Sequence, residues 1–548
     1  MHRQRFIFFF LFSFLFSFCY SQISFEPLRS SVYPFISSLG QKGVFELEDQ
    51  ILPLSRIKMA TLLLQANLKK DRLTPLEREE LQFYLEDFDY EIKKLENARD
   101  TLTYLNYCRY DRAGRWRLFA YSDSLFHVNV SPVIGIVKGR QNDDSFQRQW
   151  NGLYFYGYLG NHIGFTFDFS NAGERGINID RERSFTAEPG IIPKNAGSTN
   201  QIDFNEINVM TTFSWRWGHI SVGKNKFEWG YGNSGRIVAS DKPPSYPQVR
   251  LDIKPVDWLR FNYLHAWLNS GVIDSTGLYQ TELVNKQRIL YRNKYFASHT
   301  VTIRPSKGLY FSLGESVVYA DRLVFAYLQP LMFFRAADHY ISKQNNNAGE
   351  NSQFFFAVTS RNHIPRTHLF ATLLIDEINL RDMFSNKNRN QLGYQAGASV
   401  VDFPVNNLKL TTEYTRILPY VYRHYIPTLT YESDSYPLGH WIGHNADLIY
   451  GAVTYRIIRG LSASVWGQYF RKGEDGTVQE QYSKNQPDFL FGLHSNRTYS
   501  GVDLKYEIIH ELYVRGQIEW IRTSLEQEDG HFLDTNMRHI YLSVYYGM

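Results

Sequence analysis

From about Trp116 to the end of this 548-residue chain, apolar side chains return at every second position. That period belongs to strands with one apolar and one polar face, because successive Cβ atoms point to opposite sides of a pleated chain. In LYFYGYLGNHIGFTFDFS, Leu153, Phe155 and Leu159 share a face, Gly160-Asn161 makes a turn, and Phe165, Phe167 and Phe169 share a face of the next strand. In NEINVMTTFSWRWGHISVGK, Ile207, Val209, Phe213, Trp215 and Trp217 alternate with Asn208, Thr212, Ser214 and Arg216. TVTIRPSKGLYFSLGE reads as a hairpin with Pro305 to Gly308 at its tip, and GLSASVWGQYF, LYVRGQIEWI and HIYLSVYYGM continue the style.

One-sided strands suit a soluble sandwich or a barrel in lipid, and three features favour the barrel. The runs are about 8 to 12 residues, enough for a tilted strand to cross the hydrocarbon layer. Tight turns alternate with long polar stretches such as NAGERGINIDRERSFTAEPGIIPKNAGSTNQ and YISKQNNNAGENSQ. Aromatic residues make up 16% of the chain, with 40 Phe and 38 Tyr, and they often fall at strand ends, where interfacial girdles lie. After the N-terminus no segment approaches the about 18 consecutive apolar residues of a spanning helix. The expectation is an all-β, antiparallel transmembrane barrel. Roughly 430 residues at about 24 per strand and connection give roughly 16 to 20 strands.

The N-terminus, MHRQRFIFFFLFSFLFSFCYSQ, has Arg3 and Arg5, an apolar run from Phe6 to Phe18, and small residues at Cys19 and Ser21. This pattern predicts a signal peptide over residues 1–21, cleaved after Ser21. Bulky Phe18 argues against Cys19 as a lipidated residue. Cleavage takes the net charge from +4 to about +2, which leaves no electrostatic case for nucleic acid. Cys108 then stands alone and can form neither an internal disulfide nor a four-ligand zinc site.

Between Leu47 and Asp100 the period is helical. TPLEREELQFYLEDFDYEIKKL offers Thr74 as N-cap, Pro75 at the first helical position and Glu77 to complete a capping box. Leu81, Leu85, Phe88, Ile92 and Leu95 follow at helical spacing, and an earlier helix over about Ser55 to Lys69 carries Ile57, Ala60, Leu64 and Leu68 on one stripe. Two such helices alone make a marginal core and need a packing partner. The chain thus divides into residues 1–21, an N-terminal segment with helices over 22–110, and a barrel over 111–548.

Several motifs invite chemistry. GYGNSG, Gly230 to Gly235, fits the dinucleotide spacing G-x-G-x-x-G, with Asp252 at the right distance. A phosphate site also needs a helix after the third glycine, and Ile237, Val238, Pro243, Pro244 and Pro247 oppose one. A strand ending in a glycine-rich turn or bulged passage is the plainer expectation. His440, His444 and Asp447 are possible metal ligands, but the glycines around them equally describe a loop. Asp376 and Glu377 are adjacent, so on a strand they point to opposite faces and cannot flank one scissile bond. No nucleophile elbow, zincin or Walker pattern occurs, so neither an enzyme nor a cofactor is expected.

VGKNKFEWGYGNSGRIVASDKPPSYPQVRL resembles the central signature of the Wzi family of capsule-assembly proteins, in which V-G-[KR] leads to W-G-x-G, a Pro-containing stretch and another strand. LFHVNVSPVIG, AYLQPLMFFRAADHY, LLIDEI and PLGHWIGHNADLIY resemble further segments of that family in the same order. The resemblance implies an 18-stranded outer-membrane barrel with a small periplasmic helical domain. It also implies a lectin role toward capsular polysaccharide, among outer-membrane lipid and other envelope assembly proteins. Greater length and the Gly547-Met548 terminus point to a divergent branch, and the alternative to the lectin role is a barrel acting in transport or as an accessory in secretion, adhesin display or gliding motility. The motif match and the stacking of aromatic faces on sugars make Trp229, Tyr231, Arg236, Trp441 and His444 the candidate glycan-binding residues.

Overall fold

The computed structural model describes residues 23–96, 104–111, 113–194, 199–283, 286–345, 349–377, 390–483 and 486–547. The expected signal peptide, with Cys19, and the end of the helical pattern at Asp100 lie outside them.

Among the described residues eighteen antiparallel strands close into a barrel. They are β1 (Phe126–Gln141), β2 (Asp144–Leu159), β3 (Ile163–Arg175), β4 (Gln201–Trp215), β5 (Gly218–Asn225), β6 (Tyr246–Val256), β7 (Leu259–Ile273), β8 (Tyr291–Ser306) and β9 (Leu309–Ala320), followed by β10 (Asn351–Arg361), β11 (Thr367–Glu377), β12 (Gln391–Val401), β13 (Leu408–Ile417), β14 (Ala446–Ile458), β15 (Leu461–Lys472), β16 (Ser495–Ile509), β17 (Leu512–Glu526) and β18 (Phe532–Tyr546). Neighbours in sequence pair in space, and β18 closes on β1 from Tyr546↔Ile134 to His539↔Gln141. Closure satisfies the backbone N–H and C=O groups that lipid cannot. Leu159, Phe213 and Ile220, on one register row, are exposed on the outer face. Trp217 departs from its expected strand and sits in the two-residue turn between β4 and β5.

The end of β1 that β18 leaves uncovered is paired by an extra hairpin, Tyr104–Tyr110 with Trp116–Ser122, through Phe119↔Val130 to Ser122↔His127. Cys108 is exposed on that hairpin. Tight connections such as 216–217, 307–308 and 459–460 gather at one end of the barrel, and long ones such as 176–200, 226–245, 321–350 and 418–445 at the other.

Four helices occupy the tight-turn end: α1 (Val32–Gln41), α2 (Arg56–Asn67), α3 (Pro75–Asp87) and α4 (Asp89–Leu95). Thr74 and Glu77 form the expected capping box on α3, but the single helix read through Leu95 breaks at Phe88, where φ is −98° and ψ 18°. The buried face of α2 is also rotated from the expected stripe. Met59, Ala60, Leu62, Leu63 and Ala66 are buried with Arg56, whereas Ile57 and Leu64 are half-buried and Leu68 is exposed. The cause is Arg56, whose burial turns its side of the helix inward. α1 was not foreseen, since VYPFISSLGQ holds Pro34, two serines and Gly40, poor helix formers; Val32, Phe35, Ile36 and Leu39 hold it in the helical core.

Ion pairs fasten this domain to the barrel rim. Arg361 pairs with Asp49 at 2.6 Å and donates to Leu47 O at 3.1 Å. Arg456 pairs with Glu80 at 2.5 Å and Glu77 at 3.2 Å, and Lys42 with Asp402 at 2.8 Å. The helices therefore close the tight-turn end of the lumen.

Candidate functional site

From the long-loop end, two connections fold back into the lumen. Residues 226–245, between β5 and β6, bring in Phe227, Trp229, Ile237, Val238 and Ala239, and residues 418–445, between β13 and β14, bring in Val421, Tyr422, Tyr431, Leu438, Trp441 and Ile442. These pack on lumen-facing Leu264, Phe296, Val318, Phe355, Leu374 and Phe470. The apolar residues bury one another because the wall there is apolar on both faces. From the other side the N-terminal segment reaches up to meet them. Ile51 pairs with Trp229 and Leu52 with Glu228.

GYGNSG lies in the passage between the paired strands β5 and β6, as expected, but that passage is long and folds inward as part of the plug. Gly230, Gly232 and Gly235 have φ of 112°, 140° and 148°, values an L residue rarely adopts. A Cβ on Gly232 would also stand 2.2 Å from Gly235 O, and one on Gly235 would stand 2.6 Å from His440 Nε2. The bend aims donors at the Glu413 carboxylate from the barrel wall: Asn233 N at 2.6 Å, Ser234 N at 2.9 Å, Ser234 Oγ at 2.9 Å and Asn233 Nδ2 at 2.5 Å. The glycine motif has thus built an anion nest, and the anion is the protein's own.

The two inward loops are bonded to each other. Tyr422 Oη donates to Ile237 O at 2.5 Å, Tyr431 Oη to Val238 O at 2.8 Å, and Trp441 Nε1 to Ser234 O at 2.5 Å. Asp376, on β11, accepts from Tyr422 N at 2.8 Å, so the carboxylate singled out in LLIDEI anchors the second loop. His440 packs against Gly235. His444 Nδ1 accepts from Tyr420 N at 3.1 Å, and its Nε2 lies 3.3 Å from Asp475.

Above the plug a cleft of about 480 Å³ opens between the long loops, lined by Tyr422, Tyr431, Tyr436, Trp441 and His444 with Arg183, Arg423, Glu432 and Asp475. Lys242 fixes one wall by donating to Arg183 O, Thr186 O and Glu188 O at 2.6, 2.9 and 2.8 Å. Beside the plug, against β2 to β4, a chamber of about 570 Å³ is lined by Trp150 and ion-paired groups including Arg29 with Asp168 and Lys226 with Glu206.

Among the residues singled out in the sequence, Trp441 and His444 border the cleft. Trp229 is fully buried and Tyr231 nearly so, while Arg236 pairs with Glu228 at 2.6 Å and donates to Gly230 O at 2.7 Å. These three sit within the plug. The cleft residues Arg183, Arg423, Glu432 and Tyr436 went unnoticed in the sequence, where they lie in loops without a period.

Burial pushes the His440 imidazole down to about 3, and burial followed by the Lys472 charge takes His444 down to about 4. Both rings are neutral in the folded loop and titrate near 6.5 when it is released. The unfolded form binds more protons between those values, so docking is strongest above pH 6.5 and weakens as pH falls toward 4. Hydrogen-exchange protection of residues 418–445, corrected for intrinsic rate, is expected to drop from pH 7 to pH 5. Protection that holds or rises on acidification would contradict this assignment.

The architecture is that of a plugged outer-membrane-type β-barrel. No family model matches the chain, and no curated protein does either. Among solved structures it is similar to Wzi of Escherichia coli, described as an outer membrane protein involved in group 1 capsule assembly and a carbohydrate-binding β-barrel, with 11% identity and a TM-score of 0.56 over 96% of this chain and 100% of that one. Pseudomonas aeruginosa OpdK and OprD align with 76% of this chain and 98% and 94% of theirs, each at 11% identity, with TM-scores of 0.42 and 0.40. The likeness to Wzi is one of fold.

Proposed function

We propose that this protein is a non-enzymatic outer-membrane barrel, exported by a cleaved signal peptide, that binds surface polysaccharide at its long-loop end. It would be a divergent relative of the Wzi capsule-assembly proteins. The observation that carries this reading is a lumen plugged from both ends beneath an open, aromatic and polar cleft. Such a cleft has Arg423, Glu432 and Asp475 for hydroxyl or acidic groups, over an apolar floor formed by the buried rings of Tyr422, Tyr431, Tyr436 and Trp441. Tight turns face the periplasm in bacterial barrels, so the helices would be periplasmic and the cleft would face outward. Trp441 and His444 support the cleft floor, and Trp229, Tyr231 and Arg236 act as its scaffold.

Binding of the purified protein to its host's own surface glycans tests this. Arg423→Ala with Glu432→Ala is expected to weaken that binding about tenfold. No binding to those glycans, together with normal capsule retention in a deletion strain, would refute the proposal. The ion-paired chamber favours a second reading, transport along one wall of the barrel. Large, steady single-channel openings of the wild-type protein in planar bilayers would favour that reading, and a closed barrel would disfavour it.

A further inference from the structure

Outside the barrel, the β9–β10 connection forms α5 (Phe325–Leu328) and α6 (Phe334–Asn345). Register places this excursion against the outer wall. Ile220, Leu251, Tyr263, His299 and Glu315 form one continuous row, and Ile220 is exposed to the surroundings of the barrel. Glu315 and His299 therefore project from the outer face, where a bare carboxylate or imidazole in lipid is costly. Both are covered. Phe334 N and Arg335 N, at the start of α6, donate to Glu315 at 2.8 and 2.5 Å, and the Phe334 ring lies 4.4 Å from His299. Tyr263 Oη donates to Tyr327 O at 2.9 Å, and Tyr295, Val317 and Tyr319 complete the contact.

The side of the excursion turned away from the wall is apolar and cationic. Phe325 is 83% exposed, Leu331 81%, Tyr340 64% and Phe333 55%. On the same two strands exposed Val301, Ile303, Phe311 and Leu313 continue the apolar band below it. Arg322, Arg335, His339 and Lys343 are exposed beside these side chains. Of the neighbouring acids, Asp321 lies 3.4 Å from Arg292. Asp338 is buried and accepts from Ser342 Oγ at 3.0 Å and Glu350 N at 2.8 Å, with Arg335 3.5 Å away. Apolar fingers flanked by cations, continuous with a lipid-facing band, match an acyl region topped by negative headgroups.

We infer that the α5–α6 excursion is a docking surface for anionic membrane lipid in the leaflet on the long-loop side. Phe325, Leu331 and Phe333 enter the acyl layer, while Arg322, Arg335 and Lys343 hold the headgroup phosphates. This inference stands apart from the glycan reading of the cleft. The full-length protein, in nanodiscs of phosphatidylcholine with a minor fraction of phosphatidylglycerol, is released into the gas phase and its carried lipids are counted by native mass spectrometry. Wild type is expected to carry phosphatidylglycerol well above its share of the nanodisc. Arg322→Glu/Arg335→Glu/Lys343→Glu is expected to lower that enrichment about tenfold, with unchanged heat-modifiable migration as the control for folding. Phe325→Ser/Leu331→Ser, with the cations intact, is expected to reduce the total lipid carried. Equal enrichment in wild type and the charge-reversed protein would overturn the inference. So would loss of the wild-type enrichment on adding inorganic phosphate, which marks a soluble-phosphate site.

Discussion

Replacing Arg56 with Ala is expected to loosen the helical domain at neutral pH. Its guanidinium is fully buried and donates to Glu91 at 2.7 Å, Glu26 at 2.6 Å and Asp87 O at 3.1 Å, between the rings of Phe88 and Tyr156 at 4.2 and 4.1 Å. Burial pushes the Glu26 carboxyl up even with Arg56 beside it. Burial alone would raise Asp87 too, but Arg115 and Arg56 outweigh it and hold that group below the usual carboxylate range. Without Arg56, three acids crowd a dry site, and breaking such a buried network by removing one partner costs about 3–5 kcal/mol. That is roughly a hundredfold or more in the equilibrium between the closed and opened domain. The deficit is set by charge, so it should shrink as pH falls and the stranded carboxylates take up protons. Arg56→Met with Glu26→Gln and Glu91→Gln removes charge from both sides and should recover most of the loss. Hydrogen exchange over residues 32–95 reads both variants against the wild type. Unchanged exchange for Arg56→Ala at pH 7.5, or no recovery in the triple variant, would show that the network does not hold the domain.

Arg56 also shows what the sequence could and could not reveal. Its neighbours were legible as a helix because period and capping are local, and Thr74 with Glu77 announces the start of α3 within four residues. The buried face of α2 was not legible, since an arginine reads as surface until its partners at Glu26 and Glu91 are known. The barrel followed from alternation along each strand. Its plug did not, because Ser234 and Glu413 lie 179 residues apart. A signal was nevertheless present. QFFFAV, TLLI and SVVYA break the alternation with consecutive apolar residues, and Phe355, Leu374 and Val318 turn out to face the lumen beneath the plug. A strand apolar on both faces needs something on its inner side. The cleft residues left no such trace, because loops that meet only in the fold carry no periodic pattern.

The inner plug should depend strongly on Glu413. Glu413→Ala removes the acceptor for four donors of Asn233 and Ser234 inside a lumen core. The two donors of buried Ser234, left without an acceptor, each forfeit about 1–3 kcal/mol, whereas those of exposed Asn233 can turn to water. Partial relaxation of the bend leaves a net loss of about 3–5 kcal/mol in docking of residues 226–245. Glu413→Gln keeps the side-chain shape and one acceptor oxygen but turns an amide N–H₂ toward donors, so a loss of about 1–3 kcal/mol is expected. The effect should spread to the second loop, because Trp441 and Tyr422 are hydrogen-bonded to Ser234 and Ile237. Protection over 226–239 and 418–445 should therefore fall together, while β16 to β18 stay as they are. Loss of protection confined to the first loop would mean that the two loops dock independently. No loss in either would mean that the apolar packing of Trp229 and Val238 suffices, and that the nest around Glu413 contributes nothing measurable. If both loops loosen and the cleft above them loses glycan affinity, the glycine motif acts on function through the floor it builds, and through no ligand of its own.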